Sequence, residues 1–124
     1  MAGEAPSYTV LVVEDEALIA LELMETLGSN GFAPFGPARS ASEALTLLSR
    51  ERCDAAILDV TLGHETAEPV ARALYARRIP FVVVSGYEQS QLASELRVAP
   101  FLRKPVDTEA LLRELKALLG APAA

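Results

Sequence analysis

The sequence predicts an α/β fold, a doubly wound parallel sheet of five strands with helices on both faces. Three observations carry that expectation. Short, continuously apolar runs rich in β-branched residues recur near 8–13, 54–58 and 80–84, as strands covered on both faces require. Segments of helical period lie between them. The alternation runs through all 124 residues, of which 51% are apolar, so the expected organisation is one domain over 1–124 with its packed part at about 8–120.

The first strand, 8–13, leads directly into Glu14 and Asp15. In the helix expected at 17–27, Ala17, Ala20, Leu21, Met24 and Leu27 repeat on one side, with Leu18, Glu22 and Glu25 outward and Ile19 and Leu23 at the margin. Gly28 to Gly31 ends it. Pro34, Gly36 and Pro37 interrupt the run 32–38, which suits an edge strand. Ser40 or Ser42 starts a second helix whose inward residues are Ala44, Leu45, Leu47 and Leu48.

The third run ends in Asp59, with a turn expected at Thr61 Leu62 Gly63. Residues 66–77 read as helix, Pro69 being tolerable only in its first turn. Phe81 to Val84 then leads into Ser85. Segment 88–97 is the weakest helix, with only Leu92, Ala93 and Leu96 to face inward, and it is a candidate moving part. A short edge strand at 99–102 leads into Arg103, Lys104 and Pro105. Asp107 caps a last helix with Leu111, Leu112, Leu115, Leu118 and Leu119 buried before Gly120.

In such sheets ligands bind beyond the carboxyl ends of the strands, where Glu14, Asp15, Asp59, Ser85 and Lys104 all fall. Two carboxylates about 4 Å apart repel by roughly 4 kcal/mol at an effective dielectric near 20, or about three pKa units. Three carboxylates and one ammonium leave an excess of negative charge that one divalent cation cancels. With only oxygen donors at these strand ends, the chemistry favours Mg²⁺ or Mn²⁺ over zinc or copper. Asp15 and Asp59 are the expected direct ligands, and Glu14 acts through water. Asp59 ends the central strand and is the expected nucleophile toward phosphorus, with Lys104 neutralising the transferring group.

Taken together, these residues resemble the receiver domain of two-component response regulators over nearly the whole chain. Glu14 Asp15, Asp59, Ser85 Gly86 and Lys104 Pro105 stand in that family's order and approximate spacing. The resemblance implies a flavodoxin-like (βα)5 domain with strand order 2-1-3-4-5. It implies phosphorylation of Asp59 by a histidine kinase or a histidine phosphotransfer protein, and Mg²⁺ at Asp15, Asp59 and the Thr61 backbone carbonyl. It also implies a switch through Ser85 and Phe101 that signals to a downstream protein. Self-catalysed phosphorylation and dephosphorylation, rather than an enzyme's turnover of substrate, goes with this. A monomer or a phosphorylation-dependent dimer is expected.

The chain departs from the family where Leu62 Gly63 His64 Glu65 follows the acceptor position, in place of the usual Met Pro, and where Ser85 replaces the commoner Thr. It is loosely similar to the proteobacterial single-domain FAT GUY receivers through Leu62 Gly63, 80–87 and Pro100 Phe101 Leu102, although Val83 and Val84 differ from that signature. His64 reads as an exposed loop residue, and Thr61 and Tyr87 as borders of the phosphoryl site or as ordinary loop residues. Arg72, Arg77 and Arg78 read as a solvated face. An aspartyl-nucleophile phosphatase usually carries a second acid two residues beyond the nucleophile, where this chain has Thr61.

The net charge of −6 argues against a nucleic-acid partner. A single cysteine, Cys53, excludes a disulfide scaffold. Neither a signal-peptide pattern nor a run of membrane-span length is found, so no membrane association and a cytoplasmic location are expected.

Overall fold

The computed structural model describes residues 7–63, 65–87, 91–97 and 99–120. Seven strands and five helices follow in order among them: β1 Thr9–Val13, α1 Ala17–Ser29, β2 Ala33–Ala38, α2 Ala41–Arg50, β3 Ala55–Asp59, β4 Thr61–Leu62, β5 Glu65–Thr66, α3 Glu68–Ala76, β6 Phe81–Ser85, α4 Ser94–Arg97, β7 Phe101–Arg103 and α5 Thr108–Leu119. The main sheet has the order β2-β1-β3-β6-β7, every described pair parallel. This is the predicted 2-1-3-4-5 order, since β4 and β5 form a separate antiparallel hairpin. Sequence reading expected only a turn there.

All five residues of β3 and of β6 are buried, as are the last four of β1. Strand alternation sends these side chains to opposite faces. Leu11, Val13, Ala56, Leu58 and Val83 pack with Ala44, Leu48, Val70, Leu74 and Leu96 of α2, α3 and α4. Val10, Val12, Ile57, Val82 and Val84 pack with Leu23, Leu27, Leu111 and Leu115 of α1 and α5. Cys53 is buried at the margin of the first cluster, filling the gap after α2.

Helix caps follow the sequence closely. Ser40 accepts the Glu43 N–H at 3.0 Å and so is the cap chosen over Ser42, while Asp107 accepts the Glu109 N–H at 3.0 Å. Gly120, in the left-handed region, closes α5.

Several expected faces are corrected. On α1 the buried residues are Ala20, Leu23 and Leu27, whereas Leu21 is 54% exposed and Ala17 is exposed as well. Apolar residues cover so wide an arc of this helix that periodicity alone does not select the stripe, and contact with Val10, Val12 and Ile57 selects it. Leu45 likewise turns outward while Ala41, Ala44 and Leu48 are buried. The third helix begins at Glu68, with Pro69 in its first turn, rather than at 66, because Thr66 is used by the hairpin. The last strand is displaced from 99–102 to Phe101–Arg103, and α4 is a single turn at Ser94–Arg97 instead of spanning 88–97. Residues 88–90 of that expected helix, and His64, lie outside the described residues.

β2 bulges against β1 between the levels of Leu11 and Val13. Gly36 makes this approach feasible: its φ is +106°, and a Cβ there would stand 2.9 Å from Ala38 N and 3.0 Å from Val12 O. Gly28, within α1, has open space around it. Gly36→Ala is therefore expected to destabilise the domain by about 2 kcal/mol or more. Gly28→Ala should stabilise it by about 0.5–1 kcal/mol. Urea denaturation of both variants checks this, and two shifts of the same sign would contradict it.

Candidate functional site

Four strand ends build the site. β1 delivers Glu14 and Asp15, whose first peptide is fixed to the sheet edge by the Glu14 N–H donating to Ala38 O at 2.9 Å. β3 ends at Asp59, 5% exposed, paired with Val84 of β6. β6 ends at Ser85, fully enclosed, and β7 leads into Lys104, whose backbone N–H donates to Ser85 O at 2.9 Å. Adjacent parallel strands ending at one level place residues distant in sequence side by side.

One carboxylate oxygen from each of Glu14, Asp15 and Asp59 lies within 4.8 Å of the others. Lys104 Nζ stands 3.1 Å from Glu14 Oε1 and 3.4 Å from Asp59 Oδ2. The 3.1 Å contact is an ion pair without hydrogen-bond alignment, so Glu14 Oε1 is buried with no hydrogen bond to it. A buried carboxylate oxygen without a donor, beside two more carboxylates, fits a hard divalent cation, which binds oxygen ligands. Ser85 Oγ accepts the Tyr87 N–H at 2.9 Å, leaving its own hydrogen to donate elsewhere.

Burial, and then the neighbouring Glu14 carboxylate, push the Asp59 carboxyl up from 3.8 to about 8, and Lys104 opposes this without overcoming it. For Lys104, burial disfavours the ammonium, but the charges of Asp59 and Glu14 outweigh it and its pKa is raised.

The hairpin beside the acceptor strand is held to the site by two carboxylates. Asp15 Oδ2 accepts the Gly63 N–H at 2.8 Å, and Glu65 Oε1 accepts the Ala41 N–H at the start of α2 at 2.9 Å. Arg39 donates to Asp15 O at 3.3 Å. The sequence pattern does not single out Glu16, yet its Oε1 is 3.5 Å from Lys104 Nζ. Its position directly after the acidic pair was the available signal. Thr61 and Tyr87 are exposed near this edge, and Phe101 is half-buried against the cluster that includes Leu92 and Leu96. Sequence reading thus named Glu14, Asp15, Asp59 and Lys104, which the structure brings together, and Ser85 on the adjoining strand end.

Residues 10–116 match the model of the response regulator receiver domain. The chain belongs to that family. This receiver domain is 32% identical over 133 residues to the transcriptional regulatory protein PdtaR of Mycobacterium tuberculosis, covering 96% of the present chain and 65% of PdtaR. It spans about half the length of other curated response regulators that it matches. Among solved structures it resembles SdrG of Sphingomonas melonis Fr1, at 39% identity and a TM-score of 0.80 over 94% of this chain and 99% of that one. The CheY-like receiver of Methylobacillus flagellatus gives 27% and 0.79 over 91% and 99%. A phosphoacceptor role is general to receiver domains, as is interaction with a histidine kinase or phosphotransfer protein. Among the described residues no helix is long and apolar enough to cross a membrane.

The raised Asp59 pKa has a definite linkage. Its folded form holds the proton more tightly than the unfolded chain, so its contribution to stability is full below about 3.8 and is lost as the pH rises through about 8. Without divalent cations, wild-type stability should fall by a few kcal/mol across that window, while Asp59→Asn should fall distinctly less. Chemical denaturation of both proteins at several pH values tests this. Parallel curves would contradict it.

Proposed function

We propose that Asp59 is the phosphoacceptor of this receiver, taking a phosphoryl group from a phosphohistidine on a kinase or phosphotransfer protein and signalling by binding a downstream protein. The observation that carries the reading is the buried Asp59 carboxylate, 3.4 Å from Lys104 Nζ and clustered with Glu14 and Asp15. Asp15, Asp59 and the Thr61 backbone carbonyl would hold Mg²⁺, with Glu14 acting through water. When bound, the ion supplies positive charge that draws the acceptor and phosphoryl oxygens together.

The chain's own residues do the rest. An Asp59 oxygen forms the bond to phosphorus while the bond from phosphorus to the histidine nitrogen breaks, its electron pair staying on nitrogen. Lys104 and the Ser85 hydroxyl donate to the phosphoryl oxygens. Burial of Asp59 keeps bulk water from competing as nucleophile.

Moving a two-state equilibrium from about 1:99 to about 99:1 takes about 5.5 kcal/mol. Charge-assisted contacts contribute about 1.5–3 kcal/mol each, so Ser85 and Lys104 together barely suffice. The response then runs through Phe101 and α4, a single helical turn that offers few contacts to break. Signalling by contact, as a monomer or a phosphorylation-dependent dimer, fits a net charge of −6 better than DNA binding does. A cytoplasmic setting suits both partners.

Incubation with acetyl phosphate and Mg²⁺ should add one phosphoryl group to the wild type, seen by intact mass, and none to Asp59→Asn. An equal gain in the variant, or none in the wild type, would overturn the assignment. Phosphorylated Ser85→Ala should shift only part-way between the two states in backbone amide spectra, and a complete shift would contradict the energy argument.

A further inference from the structure

Glu16 occupies the N-cap of α1, where Ser, Thr, Asp or Asn would accept an N–H from the first turn and contribute about 1 kcal/mol. Its carboxylate makes no such bond. The backbone N–H of Glu16 goes to Glu14 Oε2 at 3.1 Å, and its carboxylate, 63% exposed, reaches Lys104 Nζ at 3.5 Å. A residue that forgoes the capping bond and leans toward the site lysine is poorly explained by helix stability alone.

The Lys104 ammonium has three N–H bonds, and three carboxylates stand around it, Glu14 at 3.1 Å, Asp59 at 3.4 Å and Glu16 at 3.5 Å. A phosphoryl oxygen that binds Lys104 competes with them for its N–H groups. Glu14 and Asp59 are buried, and Glu16 is the exposed one. Until it yields, it adds a fourth carboxylate to the mouth of a pocket already rich in negative charge.

We propose that Glu16 sets the charge selectivity of phosphodonor entry, disfavouring small dianionic donors through its own charge and its hold on Lys104. The inference rests on Asp59 being the phosphoacceptor. A free acyl phosphate arrives as a dianion and meets the full repulsion. A phosphoryl donor that carries a positive charge on its leaving nitrogen meets less. In the step concerned, an Asp59 oxygen bonds to phosphorus as the donor's leaving group departs with the electron pair. Acetate leaves acetyl phosphate, and ammonia leaves zwitterionic phosphoramidate, whose nitrogen is already protonated.

Initial phosphorylation rates of wild type, Glu16→Gln and Glu16→Asp with acetyl phosphate, a dianion, and phosphoramidate, a net monoanion, test the proposal at low and high salt. Glu16→Gln should accelerate acetyl phosphate by about 3- to 10-fold at low salt and phosphoramidate by less than about 3-fold. Added salt should narrow the gap, and Glu16→Asp, which keeps the charge but is short enough to turn back and cap α1, should give a ratio of the two rates between those of the wild type and Glu16→Gln. A wild type that is phosphorylated, with Glu16→Gln leaving that ratio unchanged, would overturn the role of Glu16 alone. Failure of the wild type to accept a phosphoryl group from either donor would overturn the Asp59 assignment, and the role of Glu16 with it.

Discussion

The ion pair between Lys104 and the acids of β1 and β3 is the interaction on which the site depends. Glu14 and Asp59 are both buried, and burying a carboxylate without compensation costs several kcal/mol. A single ammonium from the far side of the sheet offsets part of that cost, at 3.1 and 3.4 Å. It does not offset all of it. Burial, and after it the neighbouring Glu14 carboxylate, still push the Asp59 carboxyl up to about 8, so the lysine leaves the ionised form of the buried acids under-compensated. That residual imbalance is what the proposed divalent cation would offset.

The fold accounts for why the imbalance persists. The central strands are covered on both faces, so their ends can carry polar groups without disturbing the two apolar layers. Stability comes from those layers, and the site draws on it. The β4–β5 hairpin adds a second tie, because Asp15 and Glu65 each accept a backbone N–H from across the edge. Asp15 thereby has one oxygen committed to Gly63, which orients the carboxylate that the proposed metal site uses.

Much of this was legible in the residues. Continuous apolar runs ending in acids, a hydroxyl and a lysine point to parallel strands with a shared edge and so to Glu14, Asp15, Asp59 and Lys104, while the strand order followed from the family resemblance. The caps at Ser40 and Asp107 were readable because a side-chain oxygen two or three residues before a free N–H is a local signal. The face of α1 was not, since Leu18, Leu21 and Leu23 are equally apolar and only the strands beneath decide which of them is covered. The hairpin was missed because strands of two residues carry no periodicity, and Glu16 because its role depends on where Lys104 lies, 88 positions away in sequence.

The most direct measurement is a Mg²⁺ titration of isotopically labelled protein followed by backbone amide spectra. Saturable shifts should centre on Glu14, Asp15, Asp59, Gly63 and Lys104, and should be lost when Asp15 and Asp59 are both replaced by Asn. Saturable binding that leaves these five residues unperturbed, or that survives the double replacement, would contradict the proposed metal site.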